Sequence, residues 1–206
     1  MNTQLIKELQ NIQGVKIVAV SKRRTKEQID EAHRHGLNTF GENRVQEFLE
    51  KYDPKYSWHI IGHLQTNKVK YIIGKVDLIE SLDSIKLAKE IEKQAAKQGL
   101  IQKVLVQIKI SEDPNKTGLP YQDALPFIKE LQSLKHIQVK GLMCVATHTE
   151  DMELVKEEFM KMNQLFQELK SKDPQIDTLS MGMSHDYKLA IECGSTMVRI
   201  GTALFE

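Results

Sequence analysis

Short runs of β-favouring residues alternate with longer helical patterns along the whole chain. Eight strand candidates follow one another: 16–20 (KIVAV), 38–41 (NTFG), 57–61 (SWHII), 76–80 (VDLIE), 103–110 (KVLVQIKI), 137–143 (IQVKGLM), 177–181 (DTLSM) and 197–200 (MVRI). Helical stretches fill the gaps, most clearly over 152–170. There Leu154, Val155, Phe159, Met162, Leu165, Phe166 and Leu169 form one apolar stripe with Glu and Lys opposite, which reads as plain packing. Strands separated by single helices imply right-handed crossovers and a parallel sheet. Eight such units predict a single compact (β/α)8 TIM-type barrel over residues 1–206, shorter than the roughly 250 residues typical of that fold. A doubly wound open sheet is the alternative, because periodicity does not identify strand neighbours. No repeat or linker divides the chain, and the turn-rich stretch 111–120 (SEDPNKTGLP) reads as a connection within the domain.

Composition removes several classes of function. With 40% hydrophobic and 28% charged residues and a net charge of +1, the chain has no general attraction for nucleic acid or anionic membrane. No apolar run approaches the roughly 20 residues of a membrane span. The start, MNTQLIKELQNIQG, is amphipathic and lacks a signal peptide's apolar stretch. Two cysteines, Cys144 and Cys193, make no disulfide framework, so a reducing cytoplasm is the expected location. Cys144 follows a strand and reads as a packed thiol. His59 and His63 are four apart, but Gly62 and the strand-like WHIIG deny them one helical face, and no glutamate completes a zincin motif. No cysteine spacing fits zinc, and no dinucleotide or P-loop motif occurs, so no metal site is expected. The lysines of 67–75 (NKVKYIIGK) read as a solvated helix face.

In parallel α/β folds ligands bind at the carboxyl ends of the strands, and barrels often hold phosphate on the loops after the last two. Lys22 follows the first strand. A neutral lysine amine forms an imine with a carbonyl, and apolar or cationic surroundings favour the neutral form. Arg23 and Arg24 either add cationic field or point to solvent. By position alone, a lysine snorkelling from a strand end is the preferred reading. Arg199 lies in an otherwise apolar final strand, where a guanidinium needs a partner. A structural carboxylate and a ligand's heterocyclic nitrogen are equally good candidates from that strand alone. Gly201-Thr202 and Gly182 with Ser184 offer close backbone approach and hydroxyl donors on the two loops favoured for phosphate, although such pairs also make ordinary turns and caps. Together, a lysine for an aldehyde, an arginine for a ring nitrogen and loops for a phosphate describe pyridoxal 5′-phosphate (PLP).

Long stretches then match a known family. VAVSK at 18–22, FGENRVQEF at 40–48, WHIIGHLQTNKVK at 58–70, KTGLP at 116–120, GLM at 141–143, LSMGMSHDYKLAI at 179–191 and GSTMVRIGTALF at 194–205 occur in family order. The chain resembles the YggS/PROSC-type pyridoxal phosphate homeostasis proteins, which share a barrel with the N-terminal domain of alanine racemase. The resemblance implies that Lys22 holds PLP as a Schiff base and that Arg199 faces the ring nitrogen. It further implies that Ser184, Gly201 and Thr202 hold the phosphate, that Asn43 and Met183 lie against the ring, and that His63 is nearby. The implied function is a monomeric, cytoplasmic PLP-binding protein in vitamin B6 homeostasis and indirectly in amino-acid metabolism, with PLP-dependent apoenzymes as candidate recipients. The alternatives are a PLP-dependent amino-acid racemase and, more weakly, a lysine-dependent aldolase. The sequence departs from the family at Lys109, where Asn is common, at CVATHT over 144–149, and at both ends, with a shorter start and no short tail after Phe205-Glu206.

Overall fold

A computed structural model describes residues 1–114 and 116–206; one residue of the 111–120 connection therefore lies outside the described residues. The barrel strands are β1 (Lys16–Val20), β2 (Thr39–Glu42), β3 (Ser57–Ile60), β4 (Leu78–Leu82), β5 (Gln102–Lys109), β7 (Ile137–Cys144), β8 (Thr178–Ser180) and β9 (Met197–Ile200). A two-residue strand, β6 (Leu119–Pro120), pairs with β5 outside the ring. All pairings are parallel, and β4 meets β5 while β1 meets β9, so the eight-stranded barrel closes. The eight strand expectations hold with boundary shifts of a residue or two, and the open-sheet alternative does not.

Helices α1 (Thr3–Gln10), α2 (Lys26–Arg34), α3 (Val45–Lys51), α4 (Ile85–Gln98), α5 (Ala124–Leu131), α6 (Met152–Lys172), α7 (Tyr187–Glu192) and α8 (Thr202–Phe205) surround the barrel. Local chemistry sets their ends. Thr25 and Gln28 form a capping box on α2, while Ser84 caps α4 and Gly99 ends it in the left-handed conformation. Between β3 and β4 the connection contains a 3₁₀ helix, Thr66–Tyr71, which carries Lys68 and Lys70 of the lysine-rich stretch, while Lys75 lies in the turn after it.

Two cores follow from strand alternation. Outward residues such as Phe40, Trp58, Ile79, Val104 and Ile200 pack beneath the helices. Inside the ring, Val18, Leu78, Leu105, Met143 and Met197 form a small apolar plug. Two residues further along β4 and β9, the same inward face carries Glu80 and Arg199, both buried. Thus the strand period delivers charged groups into the barrel immediately above an apolar layer.

Candidate functional site

At the carboxyl end of the barrel a cavity of about 270 Å³ is walled by Lys22, Asn43, Met183 and Arg199, together with His63 and Gln107. This volume suits a single-ring compound, being near the roughly 300 Å³ lower bound for small-molecule sites. A larger cavity, about 500 Å³, lies between α5, β7 and α6, but carries no comparable cluster. Four of the seven expected site residues therefore share one cavity. The other three, Ser184, Gly201 and Thr202, sit together beside it rather than in its wall. Ser184 Oγ accepts from the N–H groups of Gly201 (3.3 Å) and Ala203 (3.4 Å), so the start of α8 converges on one oxygen.

Among the described residues, the Lys22 amine has no hydrogen-bond or ion-pair partner, and the side chain is exposed at the cavity. Arg24 points elsewhere: it pairs with Glu206 at 2.8 Å and stacks on Phe205. Asn43 is held close to the next loop, because a Cβ at Gly62 would fall 2.4 Å from the Asn43 carbonyl oxygen. Met183 and Ser184 depend on Gly182, which adopts φ +99° and approaches Ala190 so closely that a Cβ would lie 2.6 Å from its methyl. The Gly182 carbonyl accepts the Arg199 N–H at 3.0 Å, tying this loop to β9.

Arg199 has the structural carboxylate that its burial requires. Its Nη1 donates to Ser180 Oγ at 2.5 Å and Nη2 donates to the Cys144 carbonyl at 2.7 Å. Ser180 Oγ in turn donates to Glu80 Oε2 at 2.6 Å, which lies 3.8 Å from Nη1. His59 Nδ1 donates to Glu80 Oε1 at 2.7 Å, and its Nε2 accepts from Lys16 Nζ at 3.4 Å. Burial pushes the Glu80 carboxyl up, but His59, Arg199 and Ser180 together hold it below the ordinary carboxylate range. Glu80 therefore keeps a negative charge beneath the guanidinium. The two readings of Arg199 are compatible, since it is bonded on the barrel side and still forms part of the cavity wall.

Sequence reasoning missed Glu80 and weighed His59 only as a metal ligand. The available signal was polar type in an apolar strand, as in VDLIE and SWHII. Among the described residues no group of His, Cys, Asp and Glu is placed to hold a metal. Cys144 is buried, and burial pushes its thiol up to about 12, as expected of a packed cysteine. No described helix is long and apolar enough to cross a membrane.

The family model for the alanine racemase N-terminal domain matches residues 1–206. The pyridoxal phosphate homeostasis protein of Aquifex aeolicus is 44% identical over 195 residues, covering 92% of this chain and 86% of that protein. The structure of PipY from Synechococcus elongatus PCC7942 with PLP bound is 32% identical, with TM-score 0.89 over 100% of this chain and 99% of that one. Alanine racemase of Clostridium difficile in complex with cycloserine shares the fold at TM-score 0.77 and 18% identity, over 98% of this chain and 57% of that one.

Proposed function

The chain belongs to the alanine racemase N-terminal domain family, among its pyridoxal phosphate homeostasis proteins, and on that premise we propose that it binds PLP through Lys22 as a Schiff base. In this role residues 1–206 act as one PLP-binding barrel that buffers the cofactor in the cytoplasm, as a monomer, and supplies it to PLP-dependent apoenzymes. Its effect on amino-acid metabolism is then indirect. The observation that carries the reading is the unpartnered Lys22 amine facing a cavity that Arg199 also lines.

The donor set fits PLP. Lys22 offers the amine for the aldehyde, Arg199 a donor for the ring nitrogen, and Asn43 and Met183 the walls between them. The Ser184 and Thr202 hydroxyls supply uncharged donors for the phosphate, and the Gly201 and Ala203 N–H groups, which donate to Ser184 Oγ here, would join them once a phosphate oxygen replaces that acceptor. When bound, PLP provides an electrophilic carbon and a ring able to take up electrons. A guanidinium donor disfavours protonation of the ring nitrogen and so weakens that uptake. The Glu80 carboxylate keeps the guanidinium aligned from below. These properties favour reversible holding over carbanion chemistry. Tyr187, the one tyrosine in the site loops, is packed into the core and does not line the cavity, which also supports a carrier over a two-base racemase.

The test is to incubate the purified protein with PLP, record its visible spectrum, reduce with borohydride and locate the pyridoxyl group by mass spectrometry. The expected product is an adduct on Lys22; its absence there overturns the proposal. Proton–deuterium exchange at the α-carbon of amino acids, dependent on Lys22, would replace the carrier with an enzyme.

A further inference from the structure

We propose that Glu47 and Lys51 are positioning residues that grip the main chain on either side of Lys22, an inference that rests on Lys22 being the PLP-binding amine. Residues 21–24 form a β-turn in which the Arg24 N–H donates to the Ser21 carbonyl at 3.0 Å. Lys22 and Arg23 are its central residues. Arg23 has φ +59°, and it is the one non-glycine residue with positive φ among the described residues. Positive φ at the second central position marks a type II turn, where glycine is favoured. For a residue with a side chain that conformation is disfavoured roughly 5- to 30-fold.

Something must therefore hold the turn, and α3 provides it. Glu47 Oε2 accepts the Arg23 N–H at 3.0 Å. This fixes the facing of the Lys22–Arg23 peptide, whose orientation separates type II from type I. Lys51 Nζ donates to the Ser21 carbonyl at 2.8 Å. The two grips are joined, since Lys51 Nζ lies 3.5 Å from Glu47 Oε2 and 2.9 Å from Glu42 Oε1. Glu42 in turn accepts from Ser21 Oγ at 2.7 Å.

Lys51 is only 8% exposed. A buried ammonium is costly unless its hydrogen-bonding capacity is used, and Lys51 uses it on the Ser21 carbonyl and on the carboxylates of Glu42 and Glu47. Lys22 itself is a flexible stem, so the fold can preorganise its root but not its tip. The clamp therefore fixes the point from which the amine reaches the cavity.

Glu47→Ala tests this at a site that is not deeply buried, with thermal stability followed alongside. Without cofactor, amide exchange at Arg23 is expected to accelerate at least about tenfold as its acceptor is lost. With PLP, the concentration giving half-maximal borohydride-trapped adduct on Lys22 is expected to rise about 5- to 30-fold, the penalty of the unclamped turn. Adding Arg23→Gly should recover part of the loss, because glycine takes positive φ freely. Glu47→Gln, which keeps an acceptor oxygen, should lose less than Glu47→Ala. Wild-type protein that does not load Lys22 overturns the proposed function. A loading wild type with equally loading Glu47→Ala and unchanged Arg23 exchange overturns only the clamp, as does a loss of thermal stability with unchanged loading.

Discussion

Arg199 shows how one buried cation can serve both fold and site. Its guanidinium is bonded to Ser180 and the Cys144 carbonyl and lies above Glu80, so its direction is set before any ligand arrives. Arg199→Ala leaves Glu80 without its cation, although His59 and Ser180 still donate to it. Removing one partner of a buried pair costs about 3–5 kcal/mol, and the remaining donors argue for the lower end, read from urea midpoints. The same variant should also bind PLP more weakly; unchanged affinity and spectrum would remove Arg199 from the ring-nitrogen role. Arg199→Met combined with Glu80→Gln should recover much of the stability but not the binding, because the charge left behind is then gone. Cys144 gives a second prediction at this scale. Burial raises its thiol to about 12, so a disulfide reagent at neutral pH should label it only after unfolding. Rapid labelling in the native protein would contradict that.

The loop between β8 and α7 is the element on which the proposed phosphate contacts depend. Gly182 combines φ +99° with a neighbour 2.6 Å from any added Cβ, so Gly182→Ala meets both backbone strain and a clash. The expected loss is larger than the ~1 kcal/mol of an ordinary glycine-to-alanine conflict, with weaker PLP loading because Met183 and Ser184 move with the loop. Thermal unfolding and trapping on Lys22 would check the two effects separately. Elements of this kind were legible in the sequence because they rest on local rules. Strand period, the turn residues of SMGMS and the hydroxyl after Gly201 can all be read from neighbours in the chain. The network under Arg199 was not legible: Ser180 and Glu80 are 100 residues apart and meet only through the register of a closed barrel. Likewise nothing local brings the Lys51 amine to the Ser21 carbonyl, 30 residues away in the chain. The two-residue β6 was also missed, because the strand signal is weak in so short a run.

At the scale of the whole molecule, β2 and β4 each carry a fully buried carboxylate, Glu42 and Glu80, whose protonation acts on stability in opposite directions. Burial dominates at Glu42 and raises it despite Ser21 and Lys51. Its contribution is thus complete below the unfolded glutamate pKa of about 4.3 and is lost as pH rises through the raised value. Glu80 is lowered, because His59 on β3, Ser180 on β8 and Arg199 on β9 outweigh its burial. Its contribution is present above about pH 4.3 and is lost as pH falls through the lowered value. Unfolding free energies of wild type and Glu80→Gln, measured from pH 7 downward, separate this effect from the general acid sensitivity of the chain. Glu80→Gln should be the less stable protein at neutral pH, since the amide leaves Arg199 without its counter-charge. The gap should stay nearly constant down to about pH 5 and narrow below about pH 4, where wild type must protonate a carboxylate that the folded barrel keeps charged. A gap as wide at pH 3 as at pH 7 would mean that Glu80 is not held charged by the barrel, and that Arg199 relies on Ser180 and the Cys144 carbonyl alone.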